Sequence, residues 1–114
     1  CKEAKEFITN LDLDKVVDFR KANSTDVHTL TNFSEETLNI LFIDSNHELI
    51  GTFAELCWYS PRVREGGLII IHDTEIPEVR TAINKFLYTH SDFKILLRRK
   101  FNKPEMMILR RRFP

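Results

Sequence analysis

Leu38-Asn39-Ile40-Leu41-Phe42-Ile43-Asp44-Ser45-Asn46-His47 and Gly66-Gly67-Leu68-Ile69-Ile70-Ile71-His72-Asp73 are the two stretches whose reading decides the fold. Each carries a short, nearly continuous apolar run, the pattern of a strand covered on both faces in a parallel sheet between helix layers. Each run ends in carboxylates and imidazoles. Strand ends on one rim of an open α/β sheet are where such domains hold ligands and catalytic groups. Between the two, Leu49, Ile50, Phe53, Ala54, Cys57 and Trp58 recur at spacings of three and four, which predicts a helix that stops near Ser60-Pro61 and places Trp58 in the core.

Upstream, Ala4, Phe7, Ile8 and Leu11 repeat at helical spacing opposite Lys2, Glu3, Lys5 and Glu6, predicting a short amphipathic helix. Val16, Val17 and Phe19 read as a strand. The polar segment Lys21 to Asp26 then opens a weaker helix with Val27 and Leu30 as its apolar face and Ser24 or Thr25 as cap. Downstream, Pro77 suits the first turn of a helix capped by Thr74 or Glu75, with Val79, Ala82, Ile83, Phe86 and Leu87 as its buried stripe. Ile95-Leu96-Leu97 and Met106-Met107-Ile108-Leu109 flank the turn-prone Asn102-Lys103-Pro104-Glu105 and read as an antiparallel hairpin. The order of β-α units predicts an α/β fold, a Rossmann-like mostly parallel sheet with helices on both faces, closed by an antiparallel β-hairpin.

With 114 residues, 42% of them apolar, the chain holds one domain with a single packed core. Seventeen basic and seventeen acidic residues cancel, so no global field favours nucleic acid or an anionic membrane. Cys1 and Cys57 do not make a disulfide framework, and Cys57 reads as a small buried thiol. No apolar run reaches the ~20 residues of a membrane span and no signal-peptide layout opens the chain, so a reducing, cytoplasmic setting is expected. Arg98-Arg99-Lys100, Lys103 and Arg110-Arg111-Arg112 gather positive charge on the hairpin. Strand alternation divides such runs between two faces, which favours a solvated surface over a nucleic-acid patch.

The run Ile43-Asp44-Ser45-Asn46-His47, a helix, Arg64 to Asp73 with its Gly-Gly-apolar-His-Asp ending, and then Glu78 to Phe86 resembles the C-terminal half of a class I S-adenosylmethionine-dependent methyltransferase. It is most similar to small-molecule members whose strand 4 ends in Asp-x-x-His and whose strand 5 ends in His-Asp. The terminal hairpin fits that fold's strands 6 and 7. The resemblance implies that residues 1–114 are the C-terminal portion of one methyltransferase-like domain, with the glycine-rich loop and acidic strand end that hold the cofactor lying upstream of Cys1. It implies S-adenosylmethionine as cofactor, Mg²⁺ as a further one, and a small hydroxylated acceptor such as a sugar or natural product. Some metal-dependent members use the strand 4 Asp and a strand 5 acidic pair as ligands and the Asp-x-x-His histidine as base. Here His72 stands in the first place of that acidic pair.

The chemistry of the residues agrees with these roles. Methyl transfer from a sulfonium to a hydroxyl needs alignment of carbon and oxygen and removal of the hydroxyl proton. Asp44 and Asp73 are the carboxylates suited to a hard cation, His72 a further candidate ligand, and His47 the candidate general base. Asn23 and Ser24 match the loop that touches the adenine in this fold, with Asp44 also on the cofactor side. Each has a plainer role: Asp44 and Asp73 as helix caps, His47 as a surface residue, His72 as a hydrogen-bonded core histidine, Asn23-Ser24 as an ordinary turn. Two other functions stay open on the sequence: a catalytically incomplete methyltransferase-like fragment serving assembly, and a nucleic-acid-binding α/β module. Unpaired sheet edges could also join a second copy of the chain.

Overall fold

The computed structural model describes residues 2–18, 20, 22–31, 33–44, 47–99 and 104–114, with the backbone alone for Val27 and Leu30. The elements are α1 (Lys2–Asn10), α2 (Val27–Leu30), β1 (Leu38–Ile43), α3 (Leu49–Tyr59), a 3-10 turn (Ser60–Arg62), β2 (Val63–His72), α4 (Pro77–Thr89), β3 (Phe93–Arg99) and β4 (Met106–Arg111). One four-stranded sheet has the order β1-β2-β4-β3. β1 and β2 run parallel, as the crossover through α3 requires, while β4 lies antiparallel to both β2 and β3. The final hairpin thus inserts its second strand against β2.

Alternation along the strands decides what is buried. Ile43, Ile69, Ile71, Met107 and Leu109 share one face and pack with Leu56 of α3 and Val79, Ile83 and Phe86 of α4. At about 25 cal/mol per Å² of apolar surface removed from water, this layer is the main stabilising term of the domain. Opposite it, Ile40 and Phe42 keep more than half of their surface exposed. The second helical layer expected on that face is not among the described elements, since α1 forms as predicted but buries none of its residues.

Three local readings change. Residues Leu13 to Val17 make a turn in which the Val16 and Val17 N–H groups both donate to the Leu13 carbonyl, so no strand forms at Val16-Val17, and Phe19 lies outside the described residues. A strand exists through a hydrogen-bonded neighbour, and no described strand lies beside this segment. α2 is capped by Asp26, whose carboxylate accepts from the His28 N–H, rather than by Ser24 or Thr25. α3 buries Thr52, Glu55, Leu56 and Tyr59, leaving Ile50 79% and Trp58 37% exposed, so Trp58 is not core. The buried face of α3 is rotated toward α4 because both helices share one side of the sheet.

Gly66-Gly67 has a definite task. From Leu38 to Ile40 of β1 the paired residue on β2 advances from Val63 to Leu68, so the extra residues of β2 are absorbed in a bulge. Gly66 supplies φ of 76° there. A Cβ on Gly67 would meet the Arg64 carbonyl at 2.8 Å and the Asn39 carbonyl at 3.0 Å, both backbone atoms.

The turn after β2 is closed by a buried charge. Glu105, read from sequence as part of a turn, is only 5% exposed, whereas Asn102 and Lys103 of that turn lie outside the described residues. One of its carboxylate oxygens accepts from Thr74 Oγ1 at 3.0 Å, Arg80 Nη2 at 2.7 Å and Arg98 Nε at 3.1 Å. Thr74 is therefore fully buried and not the cap of α4, whose N-cap position is Ile76. Burial pushes the Glu105 carboxyl up, but the bonds from Thr74, Arg80 and Arg98 outweigh it and hold the group below its ordinary value.

Two outcomes follow from this packing. Gly67→Ala, which forces backbone apart, should cost about 1–3 kcal/mol in urea unfolding. Glu105→Ala leaves two guanidinium groups without their partner and should cost about 3 kcal/mol near neutral pH. Because the folded carboxyl titrates below the unfolded one, the network's stabilisation is complete above the unfolded value of about 4.5 and is lost as pH falls through the folded value. The Glu105→Ala penalty should accordingly shrink in acid, measured as the wild-type-minus-variant difference across a pH series.

Candidate functional site

Parallel pairing of Ile43 with Ile71 sets the ends of β1 and β2 side by side. Asp44 leaves β1 next to His72, and Asp73 follows at the turn out of β2. Asp73 takes φ of 59°, the left-handed region, which Asp tolerates better than most residues. Its Oδ2 lies 3.0 Å from His47 Nε2 and 3.0 Å from His72 Nδ1, and Asp44 Oδ1 lies 3.4 Å from the same His72 nitrogen. Two carboxylates and two imidazoles are thus gathered on one rim.

The approach of His72 Nδ1 to the carboxylates is short but lacks hydrogen-bond alignment, so it acts as a charge contact. The Asp73 carboxylate raises the His72 pKa above its ordinary value, burial opposes this, and the charges of Asp73, Asp44 and Glu75 add to the rise. His72 is therefore not a core histidine satisfied by the backbone. It sits between two carboxylates and offsets their repulsion.

One ligand atom each from Asp44, His47 and Asp73 falls within 4.8 Å of the others. Two carboxylate oxygens and one imidazole nitrogen form a donor set that fits a divalent cation, the carboxylates suiting Mg²⁺ or Mn²⁺ and the imidazole widening the choice to softer cations such as Zn²⁺. Neither Asp serves as a helix cap: the N-cap position of α3 is Glu48 and that of α4 is Ile76. Ser45 and Asn46 lie outside the described residues.

Beside Asp44 a cavity of about 400 Å³ opens along β1, lined by Ser24, Thr29, Phe33, Leu41, Phe42, Ile43, Asp44, Glu55 and Tyr59 among others. Ser24 is fixed there, donating through Oγ to Glu55 at 3.0 Å while its carbonyl accepts from Tyr59 OH at 2.8 Å. Asn23 does not line the cavity. Its side-chain oxygen accepts from the backbone N–H and hydroxyl of Thr25, an Asx turn that shapes the loop instead. Tyr59 keeps its phenol proton, burial first and Glu55 next raising its pKa.

The remaining titratable groups stand apart. His28 is exposed, while His90 is half-buried and stacked on Phe86 at 4.3 Å. Cys57 is partly buried and burial raises its thiol pKa, which suits a packing residue. Glu105, Thr74 and Arg80, which brace the turn after Asp73, escaped sequence reading. The signal present was an Arg at helical spacing after a strand-end Asp, and it cannot be told from a surface charge without the fold.

No curated protein matches the chain. Among solved structures, a protein of Corynebacterium glutamicum superposes with a TM-score of 0.79 at 12% identity, covering 99% of this chain and 56% of that one. A provisionally assigned rRNA methylase of Clostridium thermocellum superposes with a TM-score of 0.65 at 13% identity, covering 92% of this chain and 66% of that one. The chain thus spans little more than half the length of the first of these relatives and two thirds of the second. No described helix is long and apolar enough to cross a membrane. Residues 1–74 match a family described as a methyltransferase domain. With that match over most of its length and this sheet order, the chain belongs to the methyltransferase-domain family.

Proposed function

We propose that this chain carries the acceptor side of an S-adenosylmethionine-dependent O-methyltransferase, assisted by a divalent cation and acting on a small hydroxylated molecule. The observation that carries the reading is the meeting of Asp44, His47 and Asp73 within 4.8 Å at the ends of two adjacent parallel strands. In this reading Asp44 and Asp73 hold Mg²⁺, which when bound lowers the pKa of a hydroxyl beside it. S-adenosylmethionine supplies a methyl carbon activated as a sulfonium.

The residues of the chain do the rest. His47, half exposed and 3.0 Å from Asp73, takes the hydroxyl proton as the acceptor oxygen forms its bond to the methyl carbon and the carbon–sulfur bond breaks. Asp73 orients the imidazole through its 3.0 Å contact with Nε2. Ser24 and Asp44, at the wall of the cavity along β1, are on the cofactor side.

The hairpin arginines favour a small acceptor over nucleic acid, because they are engaged within the protein. Arg98 binds Glu105, Arg111 donates to the Val63 carbonyl and pairs with Glu36 and Asp92, Arg112 donates to the Ser91 carbonyl, and Arg110 lies over Phe113. The rRNA substrate named for the Clostridium thermocellum protein belongs to that protein.

Calorimetry of the full-length protein with S-adenosylmethionine, with and without Mg²⁺, tests the reading, and a folded protein that takes up no cofactor would refute it. With an acceptor in hand, His47→Ala should lower turnover ~10²- to 10⁴-fold and spare cofactor affinity. Asp44→Asn and Asp73→Asn should abolish the dependence of rate on Mg²⁺. Equal loss of cofactor affinity in all three variants would instead mean that they disturb the fold.

A further inference from the structure

Asp73 is bracketed by His72, which shares the rim with it, and by Thr74, which is turned away from the rim into buried bonds. On one side His72 is held in the ladder opposite Met106. On the other, Thr74 donates its backbone N–H to the Glu105 carbonyl at 3.1 Å and its hydroxyl to the Glu105 carboxylate at 3.0 Å. The Thr74 carbonyl accepts from Arg80 Nε at 3.2 Å, and the Glu75 carboxylate accepts from the Glu105 N–H at 2.8 Å. Thr74 and Glu105 are both buried. The segment after Asp73 is thereby tied to the start of β4 and to α4 at four points.

These ties settle the backbone of Asp73. A left-handed φ at a residue with a Cβ persists where the neighbours over-determine it. Were Asp73 to relax to an extended conformation, its carboxylate would swing to another face and leave His47 and His72. Glu105 joins the ties, since one of its oxygens collects Thr74, Arg80 and Arg98 while its own backbone binds Thr74 and Glu75.

We infer that Glu105 is a positioning residue of the rim site, aiming the Asp73 carboxylate at His47 and Asp44 through Thr74. The inference rests on the cation-binding reading above for its functional meaning, and on the geometry of the turn for its physical basis. Glu105 touches no substrate or cation in this role. Its carboxylate matters as the common acceptor of three donors, a task the neutral amide of glutamine performs with weaker charge-assisted bonds.

The test compares wild type, Glu105→Gln, Asp73→Asn and Ile83→Val, the last a core change that removes none of the turn's hydrogen bonds and controls for general loss of stability. Mn²⁺ alone is the probe, its binding followed by electron paramagnetic resonance at a temperature where circular dichroism finds each variant folded. Glu105→Gln should weaken Mn²⁺ ~10- to 100-fold, as loss of a group supporting a ligand does, and Ile83→Val should leave it unchanged. Wild-type affinity in Glu105→Gln would overturn the inference. If wild type binds no Mn²⁺, the cation reading fails and the ¹⁵N resonances of the His47 imidazole decide the positioning role. A shift in Glu105→Gln toward that of Asp73→Asn upholds it, and an unmoved spectrum overturns it. Should Glu105→Gln not fold, Thr74→Val, which removes one donor and keeps the side-chain shape, takes its place in both comparisons with the same outcomes.

Discussion

The parallel pairing of β1 with β2 is the constraint on which the rest of this molecule depends. Parallel strands need a crossover, and here the crossover is α3, whose Leu56 closes the core over Ile43, Ile69 and Ile71. The same register that buries those side chains brings Asp44 beside His72 and leaves Asp73 at the next turn. One pairing therefore places both part of the buried apolar layer and the only described cluster of potential ligands. A slip by one residue would turn Ile69 and Ile71 to the exposed face and part the two strand ends, so packing and site are selected together.

Charge is handled differently in front of the turn and behind it. In front, Asp44, His47, His72 and Asp73 are between a fifth and a half exposed, and their contacts at 3.0 to 3.4 Å leave room for exchange with a ligand. Behind, Glu105 is buried and one of its oxygens accepts from Thr74, Arg80 and Arg98. A buried carboxylate without partners would cost several kcal/mol, so the Arg80 and Arg98 guanidinium groups are a condition of its being there. The fixed ion network supports the adaptable one. That division is what a binding rim on a rigid scaffold requires.

Much of this was legible from residues alone, for identifiable reasons. β1 and α4 formed over the expected residues and β2 contains the expected Leu68 to Ile71, because local preference is strong there, but β2 begins earlier, at Val63, and β1 is covered on one face only. Asp44, His47, His72 and Asp73 stood out because polar groups at the ends of apolar strands have few purely structural uses. Val16-Val17 misled because β-branched residues prefer a strand only when a neighbour supplies the hydrogen bonds. α3 misled because it is apolar nearly all round, so periodicity could not say which stripe faces the sheet. Glu105 misled because a carboxylate after Lys103-Pro104 has the composition of an exposed turn, and its partners lie 31, 25 and 7 residues away along the chain.

By itself, then, the sequence determined the order of elements, the parallel β-α-β core and the residues able to do chemistry at its rim, because these follow from local pattern and strand alternation. Only the tertiary structure decided that Asp73 turns left-handed to face two imidazoles, that α3 presents Thr52, Leu56 and Tyr59 inward, and that Glu105 anchors the turn behind the site. Those outcomes depend chiefly on contacts between segments far apart in the chain, such as His47 with Asp73 and Thr74 with Glu105, and no short window of sequence contains both partners.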